Sequence, residues 1–196
     1  ALPISLRNKC GQQEKSLMSD LKVAVTGAAG RMGRALIEAI NATKNVTLSA
    51  AIERDGTPEI GQDTGLLAGL GANGIKITSD IGAALSMSDC VIDFTVPEAT
   101  ITLAQIAAEH GCAHIIGTTG CTAEQDAAIK EAAGRATIVK SGNMSLGVNL
   151  LAALVEQAAR ALPASDFDIE VLEMHHRQKV DAPSGTALLL GNAAAQ

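Results

Sequence analysis

The feature that most constrains the fold of this chain is a regular alternation of short apolar runs with longer amphipathic segments between residues 21 and 140. The longer segments carry apolar residues at intervals of three and four, which is the period of a helix. Strands that alternate with helices predict a parallel sheet covered by helices on both faces. We therefore predict an α/β fold, a doubly wound sheet of the Rossmann type. Its strands are predicted at 22–26, 47–52, 75–78, 90–94, 114–116 and 137–140, and its helices at 31–41, 81–85, 98–110 and 122–133.

The pattern changes after Gly142. A longer helix is predicted at 145–162, then a half-buried strand at 168–174, a polar stretch, and a helix from Ser184 onward. These elements are too few to bury both faces of a sheet of their own, so we expect an incomplete α+β domain that needs more sequence or partner chains. The predicted parts are a tail at 1–20 (a leader or an expression remnant), a dinucleotide-binding domain at 21–144, and the start of a substrate-binding and oligomerisation domain at 145–196.

Composition excludes several classes of function. The chain has 196 residues and a net charge of −6, which disfavours a nucleic-acid partner because phosphate binding needs a basic face. It has no Trp, no Tyr and two Phe, so stacking platforms for bases are not expected. Apolar runs are too short for a membrane span. The four cysteines lack metal-site spacing, and we predict buried thiols in a reducing, cytoplasmic compartment and no metal.

A glycine-rich turn joins the first predicted strand to the first predicted helix. Gly27 permits a tight turn, Gly30 lets the backbone approach a pyrophosphate, and Gly33 lets the helix pack closely on the strand. The helix N-terminus would then offer N–H groups to phosphates. The spacing G-x-x-G-x-x-G also occurs in ordinary connections, and Arg31 is either a phosphate contact or a solvated residue.

Charged and hydroxyl side chains follow the other predicted strands. Glu53, twenty positions beyond Gly33, can accept hydrogen bonds from a ribose diol, and Arg54 can pair with a 2′-phosphate. This pair predicts that NADH and NADPH are both accepted, the alternative being a solvated charge pair. Segments 117–120 and 141–144 end two later strands, where a cofactor would lie; plain turns are the alternative.

The densest group of titratable side chains lies at 173–186. Two histidines, Arg177 and Lys179 fall within five residues, a local positive charge that would suit a small dianionic substrate. The helix after Ser184 would offer backbone N–H groups to a carboxylate. A His or Lys can supply the proton that hydride transfer to carbon requires. The alternative is a solvated basic loop.

From about Lys22 onward the chain resembles the 4-hydroxy-tetrahydrodipicolinate reductase (dihydrodipicolinate reductase) family. The resemblance rests on the run HHRxKxDAPSGTA at 175–187. It also rests, in the same order, on GAAGRMG at 27–33, DFTxP at 93–97, GTTG at 117–120 and NxSxGVN at 143–149. It implies reduction of a cyclic dicarboxylate imine by NADH or NADPH, on the route from aspartate semialdehyde towards diaminopimelate and lysine. It also implies a homotetramer assembled through the sheet of the second domain.

The resemblance further implies roles for individual residues. His175 would be the acid/base residue, Lys179 the proton donor, and the substrate carboxylates would be held by His176, Gly185 and Thr186. The implied cofactor-binding residues are Gly27, Ala28, Ala29, Gly30, Arg31, Met32, Glu53, Arg54, Gly117, Thr118, Thr119, Ser141, Gly142, Asn143 and Met144.

The chain departs from the family's pattern in two respects. Met144 stands where many bacterial members carry Phe, and members of the family run on beyond the position of Gln196. We therefore expect residues 1–196 alone to be inactive. Two other functions stay open: another small Rossmann dehydrogenase, such as one acting on aspartate, and a non-catalytic dinucleotide-binding protein.

Overall fold

The computed structural model describes residues 19–175, 177 and 181–195. Within this part of the chain, one parallel sheet of six strands has the order β3-β2-β1-β4-β5-β6. Successive strands are added to one side of β1 up to β3 and to its other side from β4 onward, although all six strands run parallel. Such a switch point, here between β1 and β4, opens a crevice at the carboxyl ends of the strands. The strands are β1 Leu21–Thr26, β2 Val46–Ile52, β3 Ile77–Thr78, β4 Cys90–Asp93, β5 Ala113–Ile116 and β6 Ile138–Lys140.

The helices begin and end where local signals place them. Asp80 caps the third helix by accepting from the Ala83 N–H, and Thr122 forms a capping box with Gln125 at the fifth. Gly111, with a φ of 65°, ends the fourth helix in the left-handed conformation. The prediction of a doubly wound α/β fold is confirmed. The helices are α1 Arg31–Ala42, α2 Thr64–Leu67, α3 Ile81–Ser86, α4 Pro97–His110, α5 Ala123–Ala132, α6 Leu146–Ala161 and α7 Gly185–Ala194.

The sheet is covered on both faces by aliphatic side chains. Ala24 and Val91 pack with Leu103 of α4 on one face, whereas Val23 and Val25 pack with Ile40 of α1 on the other. Successive strand residues point to opposite faces, so a short strand serves both cores.

The buried cysteines follow the predicted pattern. Cys90 and Cys112 are buried and free, and burial raises the pKa of the Cys112 thiol to about 12. Both therefore act as small apolar side chains of the core. The first cysteine of the sequence and residues 1–18 of the predicted tail lie outside the described residues.

The third strand is shorter than predicted. Only Ile77–Thr78 of the predicted 75–78 run forms a strand. Residues 75 and 76 pair instead with the segment at the start of α2: the Ile75 carbonyl accepts the Thr64 N–H, and Lys76 forms an antiparallel bridge with Asp63. The Asp63 carboxylate closes the compact loop around α2 by accepting four backbone N–H groups, those of Gly65, Leu66, Asn73 and Gly74. Neither this loop nor α2 is predicted by hydrophobic periodicity, because a single carboxylate organises it.

The predicted strand at 168–174 is not formed. Residues 167–175 have no regular secondary structure, and none of the described strands pairs with them. Alternating apolar side chains favour a strand, but a strand also needs a neighbour to share its hydrogen bonds. Phe167 and Ile169 are accordingly half exposed, and α6 contains no buried residue. None of the helices in the described part of the chain is both long and apolar enough to cross a bilayer.

Candidate dinucleotide and substrate site

A crevice runs along the carboxyl ends of β2, β1, β4 and β5. It consists of three adjoining cavities of about 610, 540 and 410 Å³, and Thr95 and Val96 of the loop after β4 line all three. The crevice lies at the switch point between β1 and β4, where open α/β sheets bind their ligands.

The glycine turn after β1 lines the central cavity. Gly27 has a φ of 62°, which favours glycine, and a Cβ atom on Gly33 would lie 2.2 Å from the Gly27 carbonyl oxygen. Helix α1 starts at Gly30 without a side-chain cap, and its first turn contains no acidic residue. The first N–H groups of α1 and the positive end of its dipole are thus left for an anion. This cradle fits a diphosphate.

Glu53 ties the end of β2 to the glycine turn. Its Oε1 accepts the Ala29 N–H at 2.9 Å, and its Oε2 accepts the Arg54 N–H at 3.2 Å. Because each carboxylate oxygen can accept more than one hydrogen bond, a ribose diol could still be held here. The neighbouring cavity continues past Glu53 and Arg54 to Ile52, Ile81 and Leu103, an apolar lining that suits a planar base.

Most predicted cofactor residues line this crevice. They are Gly27, Gly30, Arg31, Met32, Glu53, Arg54, Gly117, Thr118 and Thr119. Ala28 is fully buried beneath the turn, so it contributes packing there, and Ala29 donates its N–H to Glu53. Segment 141–144 lies next to the start of α7, and Met144 is 41% exposed.

Below the loop after β4 lies a buried carboxylate with no predicted role. The Asp93 side chain accepts from the hydroxyls of Thr95 and Thr100, both at 2.6 Å, and pairs with Nε2 of His114 at 3.3 Å. Burial opposes ionisation of Asp93, but the hydrogen bonds from His114, Thr100 and Thr95 outweigh it and hold its pKa below the ordinary value. Asp93 thereby fixes Thr95, which lines the crevice.

The start of α7 packs directly against the ends of β5 and β6. A Cβ atom on Gly142 would lie 2.7 Å from the Gly185 carbonyl oxygen, and one on Gly185 would lie 2.7 Å from Cγ2 of Thr119. The Asn143 amide also donates to the Thr186 hydroxyl at 2.8 Å. The predicted substrate contacts Gly185 and Thr186 are thus adjacent to three predicted cofactor residues.

Two of the first N–H groups of α7 have acceptors within the chain. Ser184 caps the helix by accepting the Ala187 N–H at 3.0 Å, and the Asp181 carboxylate accepts the Gly185 N–H at 3.3 Å. Asp181 also lines the cavity beside Gly117 and Thr119. A substrate carboxylate that bound the Gly185 N–H would therefore share it with Asp181 or displace it.

A second carboxylate, also without a predicted role, lies behind His175. Glu173 Oε2 is 2.6 Å from His175 Nδ1, and Glu173 also accepts from Ser184. The predicted site residues His176 and Lys179 lie outside the described residues. The described residues thus provide a cradle for a diphosphate, an apolar cavity for a base, the start of a helix and an imidazole. This combination suits hydride transfer from a dinucleotide to a small acid.

Comparisons with known proteins agree with this arrangement. A family model described as "Dihydrodipicolinate reductase, N-terminus" matches residues 21–144, and "Dihydrodipicolinate reductase, C-terminus" matches residues 147–196. The 4-hydroxy-tetrahydrodipicolinate reductase of Rhizobium rhizogenes is 60% identical over 181 residues, 91% of this chain and 66% of that protein. The enzyme of the same name from Afipia carboxidovorans is 58% identical over 91% of this chain and 65% of its own length. The chain thus spans about 65% of the curated relatives it matches.

A solved structure has the same fold. The dipicolinate-bound dihydrodipicolinate reductase of Paenisporosarcina sp. TG-14 matches with a TM-score of 0.68 and 25% identity, over 89% of this chain and 65% of that one. The biliverdin reductase of Synechocystis sp. PCC 6803, 14% identical with a TM-score of 0.52, shares the fold alone.

Proposed function

The chain belongs to the dihydrodipicolinate reductase family, and from this premise we propose that it reduces 4-hydroxy-tetrahydrodipicolinate to tetrahydrodipicolinate with NADH or NADPH. In this reaction carbon 4 of the ring gains a hydride and loses its hydroxyl. The hydroxyl leaves as water, so one proton is taken up for each hydride. The protein must therefore hold a dinucleotide and a dicarboxylate side by side and deliver a proton.

The crevice supports the dinucleotide half of this proposal. The uncapped start of α1 and the close Gly27–Gly33 contact fit a diphosphate. Glu53 and Arg54 line the adjoining cavity, which supports a ribose and its 2′-substituent at that position. A bound reduced nicotinamide ring supplies the hydride. Residues 117–119 and 141–144 would hold that ring between the strand ends and α7.

The start of α7 supports the dicarboxylate half. The Gly185 N–H and the Thr186 hydroxyl lie at the positive end of this helix, where a carboxylate is stabilised. The dipicolinate named for the Paenisporosarcina reductase is a ring dicarboxylate of this kind. We extend that substrate class to this chain, with His176 as a further contact.

The proton would come from His175 or Lys179. His175 uses Nδ1 for Glu173, which leaves Nε2 to hold and release a proton. The ammonium of Lys179 can donate one directly.

One observation carries the proposal: Gly142 and Gly185 are in contact, which brings a loop predicted to bind the cofactor next to the helix predicted to bind the substrate and supports a shared site. The test, like the later turnover experiments, uses a protein of the full length of the curated relatives that contains this chain. It measures the consumption of reduced dinucleotide, from the nicotinamide absorbance, when 4-hydroxy-tetrahydrodipicolinate is added. We expect His175→Ala and Lys179→Ala each to lower turnover by about 10²–10⁴-fold. Dinucleotide binding without turnover would instead favour a sensor, and turnover on aspartate would favour an amino-acid dehydrogenase.

The oligomeric state, the compartment and the pathway of the protein belong to the same proposal. We propose a homotetramer in the cytoplasm, on the route to diaminopimelate and lysine. The exposed apolar side chains of α6, such as Leu146 at 86%, support assembly through this region. Analytical ultracentrifugation tests it, and a monomer at micromolar concentration would contradict it.

A further inference from the structure

Glu173 connects the predicted acid/base residue to the helix predicted to bind the substrate. Its Oε2 lies 2.6 Å from Nδ1 of His175 and also accepts the Ser184 hydroxyl at 2.6 Å. Its Oε1 accepts the Ser184 N–H at 2.8 Å. One carboxylate therefore contacts both the imidazole and the residue that caps α7.

The contact with His175 determines which ring nitrogen is available for chemistry. An ionised carboxylate can only accept hydrogen bonds, so its contact with the imidazole at 2.6 Å places a proton on Nδ1. In the neutral imidazole Nε2 is then the basic nitrogen, and in the cation Nε2–H is the proton that can leave. Without Glu173, either tautomer could form.

The contact with Ser184 fixes the carboxylate itself. Ser184 is 1% exposed, and its hydroxyl accepts the Ala187 N–H at 3.0 Å while it donates to Glu173. Two hydrogen bonds from so buried a residue leave Glu173 little freedom to rotate. The orientation of His175 is thus set by the same residue that starts α7.

We propose that Glu173 is the positioning residue of the site: it holds His175 in the Nδ1–H tautomer and joins it to the start of α7. The proposal rests on the reductase function proposed above. Coupling the imidazole to α7 keeps the proton donor in a fixed relation to the Gly185 and Thr186 groups that would grip the substrate carboxylates. The sequence carried a signal for it, since Glu173 and His175 are two apart and fall on one side of an extended chain.

The first test is spectroscopic and needs no turnover. Glu173→Gln keeps the shape of the side chain but replaces one acceptor oxygen by an NH₂ donor. The 15N shifts of the His175 ring, assigned by their loss in His175→Ala, report the tautomer of the neutral imidazole. We expect Nδ1–H in the protein as it stands and a mixture or the Nε2–H form in Glu173→Gln, with Glu170→Gln, an exposed carboxylate nearby, unchanged.

The second test separates positioning from helix capping. In Glu173→Gln we expect kcat to fall about 10–100-fold and the KM for dinucleotide to stay unchanged. The fall in kcat should be smaller than in His175→Ala, because the imidazole is still present. Ser184→Ala removes the hydroxyl that caps α7 but keeps the backbone N–H that Glu173 accepts. The Glu173–His175 contact and the tautomer should therefore be retained while the KM for the dicarboxylate rises.

An Nε2–H tautomer in the unsubstituted protein overturns the proposal, and that result needs no variant to fold. The proposal is also overturned if Glu173→Gln keeps the Nδ1–H tautomer and its kcat equals that of the Glu170→Gln control. If the tautomer changes as expected while no variant and no parent protein reduces the imine, the positioning role stands and the proposed reaction fails.

Discussion

At the scale of single residues, this structure depends on a few carboxylates in defined roles. Asp63 closes a loop, Glu53 joins β2 to the glycine turn, Asp93 supports the crevice from below, and Glu173 meets His175. In a chain with excess negative charge, these acidic groups are distinguished by the N–H and O–H donors aimed at them. Some of these donors are near in sequence, such as Thr95 for Asp93, but others lie far along the chain, such as Ala29 for Glu53, so hydrophobic periodicity does not reveal the networks.

Asp93 is expected to stabilise the fold through its ionised form. Replacing it in Asp93→Asn removes an acceptor from a fully buried network, and we expect the free energy of unfolding at neutral pH to fall by about 1.5–3 kcal/mol. Because the pKa of Asp93 is lowered on folding from 3.8, its contribution is present above that value and is lost as pH falls further, through the folded pKa. Urea unfolding at several pH values checks this. The exposed Asp168→Asn is the control, and an equal loss in both variants would contradict the role.

Arg54 is expected to set the preference between the two dinucleotides. It is exposed at the edge of the apolar cavity, so its attraction to a 2′-phosphate is partly screened by solvent. Arg54→Ala should weaken NADPH binding by about 3–10-fold and NADH binding by less than about twofold, with the difference shrinking in high salt. Fluorescence titration measures both, with Lys44→Ala as control. Equal losses for the two cofactors would contradict a phosphate contact.

At the scale of elements, the alternation of apolar runs predicted β1, β2, β4 and the long helices nearly to the residue. It succeeded there because those strands contribute buried residues to both faces of the sheet, and because residues typical of turns and caps stand at helix ends: Gly30 before α1, Gly111 after α4 and Thr122 before α5. It failed at 168–174, where apolar and polar residues alternate as in a strand but none of the described strands lies alongside. It also failed at 64–67, where the Asp63 carboxylate caps the short helix α2. The candidate site followed from motifs, whereas Asp93 and Glu173 required the tertiary contacts.

Packing of α1 on β1 is expected to depend on Gly33. A methyl group there would lie 2.2 Å from the Gly27 carbonyl oxygen and 2.6 Å from Ala28 Cα, both backbone atoms that cannot rotate away. Gly33→Ala should therefore destabilise the protein by about 1–3 kcal/mol and abolish dinucleotide binding. Thermal unfolding and titration measure the two effects. Gly191→Ala, in α7 with open space around it, should be neutral or slightly stabilising; equal behaviour of the two variants would refute the close contact.

At the scale of the whole molecule, the crevice and the start of α7 meet because two glycines allow their backbones to touch. Gly142 and Gly185 come from parts of the chain predicted to belong to different domains, yet neither leaves room for a Cβ. In the proposed reaction, the relative position of dinucleotide and substrate would thus be set by a backbone contact rather than by long side chains.

Gly142→Ala is expected to separate the two halves of the site. The added methyl group would meet the Gly185 carbonyl oxygen at 2.7 Å, so the start of α7 must move. Affinity for dipicolinate, used as a substrate analogue, should fall about tenfold or more, and affinity for dinucleotide should fall much less, since the α1 cradle is untouched. Calorimetry measures both, with Gly147→Ala in α6 as control. Dinucleotide affinity falling as much as dipicolinate affinity would contradict this division.

The most direct measurement of the central claim, that dinucleotide and dicarboxylate share one crevice, is deuterium transfer. A protein of the full length of the curated relatives that contains this chain is mixed with 4-hydroxy-tetrahydrodipicolinate and with dinucleotide carrying deuterium in both positions at carbon 4 of its nicotinamide. The product is examined by mass spectrometry and NMR. Direct transfer requires the two carbons to be in contact, so we predict one deuterium at ring carbon 4 of every product molecule. Product without deuterium, or dinucleotide bound and never consumed, would contradict the account.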